Sequence, residues 1–281
     1  MSAPNVPPQV PAPAPMPPAA AAPSTELPRH HVHHSYIWLE SVRTIFIIAV
    51  CVVVANFSTI IGLVAEEGMG AEAGFIMAMA GIGTLTFADP QTGVFGSLGH
   101  GICDAETGVL LPLSEGDLIY STVETVTRGK SGAPGALQGD FSDARPIGTV
   151  TKNTVHGIFG TLSDLSLLSG QGALPVAARD EIQTGDAEII ANIDGDKVQR
   201  YSVQIVRLYP ENDEYGRGMM LRVTDETLLA QTGGILQGMS GSPVVQNGRL
   251  IGAVTHVLVD DPASGYAICI DDMLEEAESV A

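Results

Sequence analysis

The sequence predicts an all-β fold, preceded by one membrane-spanning helix and an unstructured tail. Three observations predict it. Short apolar runs rich in Val, Ile, Thr and Phe recur from position 81 onward, bounded by Gly, Pro, Asn or Asp. The 32 glycines and 5% aromatic content suit a turn-rich sheet better than a helical bundle. No helical periodicity alternates with the runs, which argues against a parallel α/β sheet and leaves a sandwich or a barrel.

The elements follow in order. Residues 1–43 form a Pro/Ala/His-rich tail on the cytoplasmic side, too poor in core-forming side chains to offset the entropy of ordering. His30, His31, His33 and His34 lie in it without a carboxylate or cysteine partner, so neither a metal nor a cofactor is expected there. Thr44 to Ala65 is a run of about 22 residues without a charge, long enough to cross a bilayer. Tyr36 and Trp38 precede it as interfacial aromatics do. Arg43 on one side and Glu66, Glu67 and Glu72 on the other place the bulk of the chain outside the cytoplasm. A long polar pre-sequence disfavours a cleaved signal peptide. Residues 66–80 read as a linker and 81–281 as the folded domain.

Within that domain, 81–87 and 94–98 flank the turn Asp89-Pro90-Gln91-Thr92-Gly93 as a hairpin. Strands are expected over 118–127 and 147–151, with a Gly/Pro/Ser-rich loop at 129–144 between them. Further strands are expected over 187–193, 202–209, 219–223, 244–245, 250–257 and 266–270, and a short acidic helix over 271–279. Of the three cysteines, Cys51 lies in the apolar run. Cys103 and Cys269 are read as two separate thiols, with one bridge as the alternative outside the cytoplasm.

The formal net charge of −19 argues against nucleic acid or an anionic membrane surface as partner, since both need a cationic face. Residues 1–43 carry Arg29 and Arg43 against Glu26 and Glu40, so the whole excess lies beyond them. Such a surface could favour basic peptides, but it more often only confers solubility.

Chemistry concentrates in two motifs. Gly238-Met239-Ser240-Gly241-Ser242-Pro243 puts a serine in a glycine-flanked turn before a β-hairpin. The N–H groups of Gly238 and Ser240 can converge there on a carbonyl oxygen. Ser242, restricted to extended conformations by Pro243, starts the strand instead. Ser97-Leu98-Gly99-His100-Gly101 ends a strand on a histidine between glycines, able to swing its ring into a cleft. A hydroxyl nucleophile with an imidazole base is the arrangement of a serine peptidase, in which the base comes from the first barrel and the nucleophile from the second. Met239 stands where secreted digestive proteases carry the aspartate that pairs with a freshly cut N-terminus, so that activation switch is absent. Thr255 and His256 end the strand beside the substrate's main chain. Thr255 could hydrogen-bond the carboxylate behind the base, and His256 could contact substrate or pack in the barrel.

Gly81–Asp104, Ile193–Lys197 and Thr232–Asp261 together resemble the stage IV sporulation protein B serine peptidases. The resemblance runs from about 81 to about 274. It implies a chymotrypsin-like double β-barrel and a membrane-anchored, single-pass endopeptidase acting between the two membranes of a developing spore. Its partner is a protein substrate, a regulator of a membrane metalloprotease, and cleavage of its own chain is implied too. Ser240 would be the nucleophile and His100 the general base. The resemblance points to Asp225 as the carboxylate, only fifteen positions before Ser240. The order of residues in chymotrypsin-like enzymes points instead to Asp140 or Asp143. Members of that family carry a PDZ domain between anchor and peptidase, and 66–80 is too short for one. The rival reading is a catalytically inactive protease-like ectodomain that captures an extended peptide. Oligomeric state and the identity of the substrate are not encoded legibly.

Overall fold

A computed structural model describes residues 82–280 except 105–106, 114, 141–144, 169–171, 196 and 210–215, together with the strand backbones of 36–37, 47–56 and 75–79. The strands are β1 (Tyr36–Ile37), β2 (Ile47–Asn56), β3 (Phe75–Met79), β4 (Ile82–Ala88), β5 (Val94–Ser97), β6 (Glu115–Ile119), β7 (Thr122–Thr127), β8 (Ala136–Asp140) and β9 (Pro146–Thr154). They continue with β10 (Gly157–Leu162), β11 (Ala173–Leu174), β12 (Gly185–Asn192), β13 (Val198–Leu208), β14 (Met219–Val223), β15 (Pro243–Gln246), β16 (Arg249–Val257) and β17 (Ser264–Cys269). Two α-helices, α1 (Glu226–Thr232) and α2 (Ile270–Glu278), and two short 3-10 turns, Leu165–Leu168 and Arg179–Glu181, complete the described elements.

The fold is all-β, as expected. The C-terminal strands close into a barrel in the order β12-β13-β14-β17-β16-β15. Closure follows from the residue pattern. Along β13, Tyr201, Val203 and Ile205 are buried while Ser202, Gln204 and Val206 are exposed, so one face supplies the barrel's core and the other meets water. The N-terminal strands form the row β11-β1-β4-β5-β10-β9-β6-β2-β3, with β2 also pairing to β4, so the row curls round on itself. The hairpin β7–β8 forms a separate two-stranded sheet.

Strands β4, β5 and β16 are buried on both faces because they lie where the two sheets meet. Phe87, Val94 and Phe159 from the curled sheet pack there with Leu250, Ala253 and Ile268 of the barrel and with Ile270 and Met273 of α2. Thr86, on this buried strand, donates its hydroxyl to the Gly241 carbonyl at 2.8 Å, which satisfies a polar group that could not otherwise be enclosed.

Three expectations need correction. The run 44–65 is not a helix where the structure describes it: Ile47–Asn56 is β2, paired with β3, β4 and β6. No helix among the described residues is long and apolar enough to cross a membrane. The physical reason is that a continuous apolar run reads alike as a buried helix or a strand buried on both faces. The β-branched density of Ile47, Ile48, Val50, Val52, Val53 and Val54 decides for the strand. The loop expected at 129–144 contains β8, and the single strand expected at 118–127 is broken into β6 and β7 around Tyr120 and Ser121. Cys103 and Cys269 are free thiols, the first exposed and the second buried, where desolvation pushes its pKa up to about 12. The side chain of Cys51 and the tail histidines lie outside the described residues.

Candidate active site

Ser240 sits in the turn between α1 and β15, half-buried at the junction of the two sheets. Gly241 has φ +89 and its ideal Cβ would lie 2.1 Å from the Thr84 carbonyl oxygen, so only glycine lets β4 approach this closely. Three hydrogen bonds fix the turn in place. The Thr84 N–H donates to Ser240 O at 2.7 Å, the Gly241 N–H to Val254 O at 2.8 Å and the Ser242 N–H to Met239 O at 3.0 Å. Met239 is fully buried and its sulfur accepts from the Leu236 N–H, so an apolar side chain anchors the turn where an ion pair was excluded from the sequence. On the other side β8 clamps the approach to the turn: Leu137 N–H donates to Gln237 O and Gln237 N–H to Gly135 O.

The N–H groups of Met239, Gly241 and Ser242 are spent on internal carbonyls, whereas those of Gly238 and Ser240 donate to nothing among the described residues. Gly238 reaches this alternation through φ +98. Two free donors two residues apart in one turn are what an oxyanion requires.

His100 arrives from the other sheet. Before it, Leu98 takes φ +68 at the centre of a three-residue turn closed by Gly99 N–H to Ser97 O at 2.9 Å. A bulky side chain there costs about 1–3 kcal/mol, and such strain gathers at functional sites. Leu98 is held by packing over Gly83, where an added Cβ would meet Leu98 Cδ2 at 1.9 Å. The turn carries the chain onto β16: an ideal Cβ on Gly99 would lie 3.1 Å from Thr255 Cγ2 and 3.4 Å from Ala253 Cβ.

Nδ1 of His100 lies 2.9 Å from the Gly101 carbonyl oxygen. A carbonyl only accepts, so Nδ1 carries the proton and Nε2 keeps its lone pair, the tautomer a general base needs. Burial pulls the imidazole below its ordinary range, and the Gly101 bond partly opposes that. The ring is therefore neutral at neutral pH.

Both residues meet at a β-bulge. The register of β16 against β17 shifts between Val254 and His256, leaving Thr255 as the extra residue. Ser240 Oγ donates to the Thr255 carbonyl at 2.8 Å, and the His256 ring lies 4.8 Å from the His100 ring, tilted by 36°. His100, Ser240, Thr255 and His256, far apart in sequence, are thus brought together, with Gly238 in the same turn. Thr255 Oγ1 is buried and has no partner among the described residues.

Asp225 is not hydrogen-bonded to His100. It caps α1, with Oδ1 accepting from Leu228 N–H at 2.9 Å and Oδ2 from Ser202 N–H at 3.4 Å. Its charge, after burial, helps push the Tyr201 phenol up to about 12. Asp140 is exposed at the end of β8, and Asp143 lies outside the described residues. The Asp225 cap was open to sequence reading: an aspartate before Glu226–Thr232 and Gly233 after it are helix start and stop signals. Leu98 and the Gly101 carbonyl carry no sequence signal of comparable strength. No group of His, Cys, Asp and Glu among the described residues could hold a metal ion.

Crystal structures of the Rv3671c protease resemble the chain. The active form from M. tuberculosis shares 12% identity, covering 84% of this chain and 81% of that one at a TM-score of 0.37. An inactive form shares 18%, covering 59% and 84% at 0.34. A thermostable serine protease, AL20, from an extremophilic microorganism shares 10%, covering 70% and 88% at 0.38. No curated protein matches the chain. The family model described as SpoIVB peptidase S55 matches residues 75–274, most of the sequence and all of the elements that build this site. The chain therefore belongs to the SpoIVB peptidase S55 family and is a serine endopeptidase.

Proposed function

We propose that this peptidase cuts a protein substrate through an acyl-enzyme on Ser240, with His100 as the general base. The carrying observation is the shared contact of both residues with the Thr255–His256 bulge. Ser240 Oγ rests on the Thr255 carbonyl, and rotation about χ1 frees its proton for Nε2 of His100. As the oxygen attacks the peptide carbonyl, the N–H groups of Gly238 and Ser240 receive the developing negative charge. The imidazolium then protonates the leaving amine, and water resolves the ester with His100 again as base. The Gly101 carbonyl holds the tautomer throughout. The two closed barrels of a chymotrypsin-like enzyme are the finer reading of the β-architecture, supported by the curl of the first sheet through the β2–β4 pairing.

Labelling with a fluorophosphonate probe tests the reading. Wild type should label at one site and Ser240→Ala should not. A wild-type protein that neither labels nor cleaves casein would instead be the peptide-capturing ectodomain. A role in sporulation signalling, with cleavage of the enzyme's own chain, has the family's name as its support. Mass spectrometry of wild type against Ser240→Ala after incubation checks the self-cleavage.

A further inference from the structure

The base of a serine peptidase needs its ring held at one angle, and a carboxylate ordinarily does that. Among the described residues none hydrogen-bonds His100, whose Nδ1 is taken by the Gly101 carbonyl. The bond to the Gly101 carbonyl fixes Nδ1 but not the tilt of the ring about its attachment. A second flat ring lies against it.

We propose that His256 is the positioning residue for His100, its ring packed against the imidazole so that the Gly101 bond and the His256 face together set the angle of the base. The geometry is built for this. The bulge at Thr255 re-aims the end of β16, so one short segment presents a carbonyl to Ser240 and a ring to His100. Centroids 4.8 Å apart at a 36° tilt lie within the range in which flat rings pack favourably. His256 stands opposite Tyr266 on β17, whose ring is capped by the Arg217 guanidinium at 4.6 Å. His256 thus acts through His100.

The inference rests on the proposed roles of Ser240 and His100, so the test separates the two. His256→Ala removes the face, whereas His256→Phe keeps it without a titrating nitrogen. Two rates are read for the full chain: labelling by a small fluorophosphonate, which needs an activated Ser240 but no peptide contact, and cleavage of fluorescein-labelled casein. The expected result is a fall of about 10- to 100-fold in the labelling rate and in kcat for His256→Ala, part of the 10²–10⁴ that a positioned base supplies. Casein KM and thermal midpoint should stay unchanged. His256→Phe should return both rates to within about threefold, with the acid limb of its pH profile at the wild-type position, because the titrating ring is still His100. Unchanged labelling in both variants with a raised casein KM would make His256 a substrate contact and overturn the proposal. So would loss of labelling in both, since a flat ring would then not suffice. Absence of labelling in wild type would overturn the enzymatic reading itself, and this inference with it.

Discussion

Asp225 offers a sharp perturbation, because its two possible tasks demand different chemistry. As the cap of α1 it needs an oxygen to accept the Leu228 N–H, and asparagine supplies one. As a triad carboxylate it needs charge, and asparagine supplies none. The structure assigns the first task, so Asp225→Asn should retain kcat within about twofold and lose only the weak 3.4 Å contact to Ser202 N–H. Asp225→Ala removes both bonds and should cost about 0.5–2 kcal/mol of stability, the usual loss of a helix cap. For a domain of this size that corresponds to a fall in Tm of about 2–4 °C per kcal/mol. Calorimetry gives the stability, and the fluorophosphonate rate gives the activity on the same samples. A loss of about 10⁴ in rate for Asp225→Asn, at an unchanged Tm, would refute this reasoning, since that is the signature of a base robbed of its carboxylate.

Burial holds the His100 pKa down, so the acid limb of kcat/KM should fall below pH 6.5, and a midpoint above that value would contradict the enclosure of the ring. The same shift acts on stability. The unfolded chain binds a proton that the folded ring resists, so the contribution of His100 is present above about pH 6.5 and is lost as pH falls toward the lower folded value; urea midpoints across that window should show the decline. Gly241→Ala drives a Cβ into the Thr84 carbonyl at a backbone angle that alanine resists, and should cost at least about 2 kcal/mol and most of the labelling rate, read by urea titration and probe kinetics. Truncation separates a strand from an anchor: a chain of residues 47–281 keeps β2, whereas 66–281 loses it and leaves β4 and β6 each with one neighbour fewer. The shorter chain should label far more slowly and aggregate; full activity in it would make the apolar run dispensable to the fold.

Much of the fold was readable because the barrel strands alternate. The expected strand at 219–223 is β14 to the residue, and the hairpin around Asp89–Gly93 is β4 and β5 within a residue. What resisted reading was not the pattern but its ambiguity. Residues 44–65 are long and apolar enough for a membrane span, and only the β-branched density of 47–54 and the long-range pairing of β2 speak for a strand. β8 hid in a Gly/Pro/Ser-rich stretch because its partners are β7 and the main chain at Gln237, not its own hydrophobic face. Within the site, His100, Ser240 and Gly238 stood out by their glycine neighbours, which permit tight turns. The contacts of the His100 ring did not, because a main-chain carbonyl and the face of a second ring leave no recognisable spacing.

A main-chain hydrogen bond joins an early strand to a late turn. The amide of Thr84 grips the carbonyl of Ser240, a residue made long after it, so the proposed nucleophile is held in this alignment only once both sheets have formed and docked. Assembly of the proposed site is in this way tied to chain topology, since a strand made early holds a turn made late.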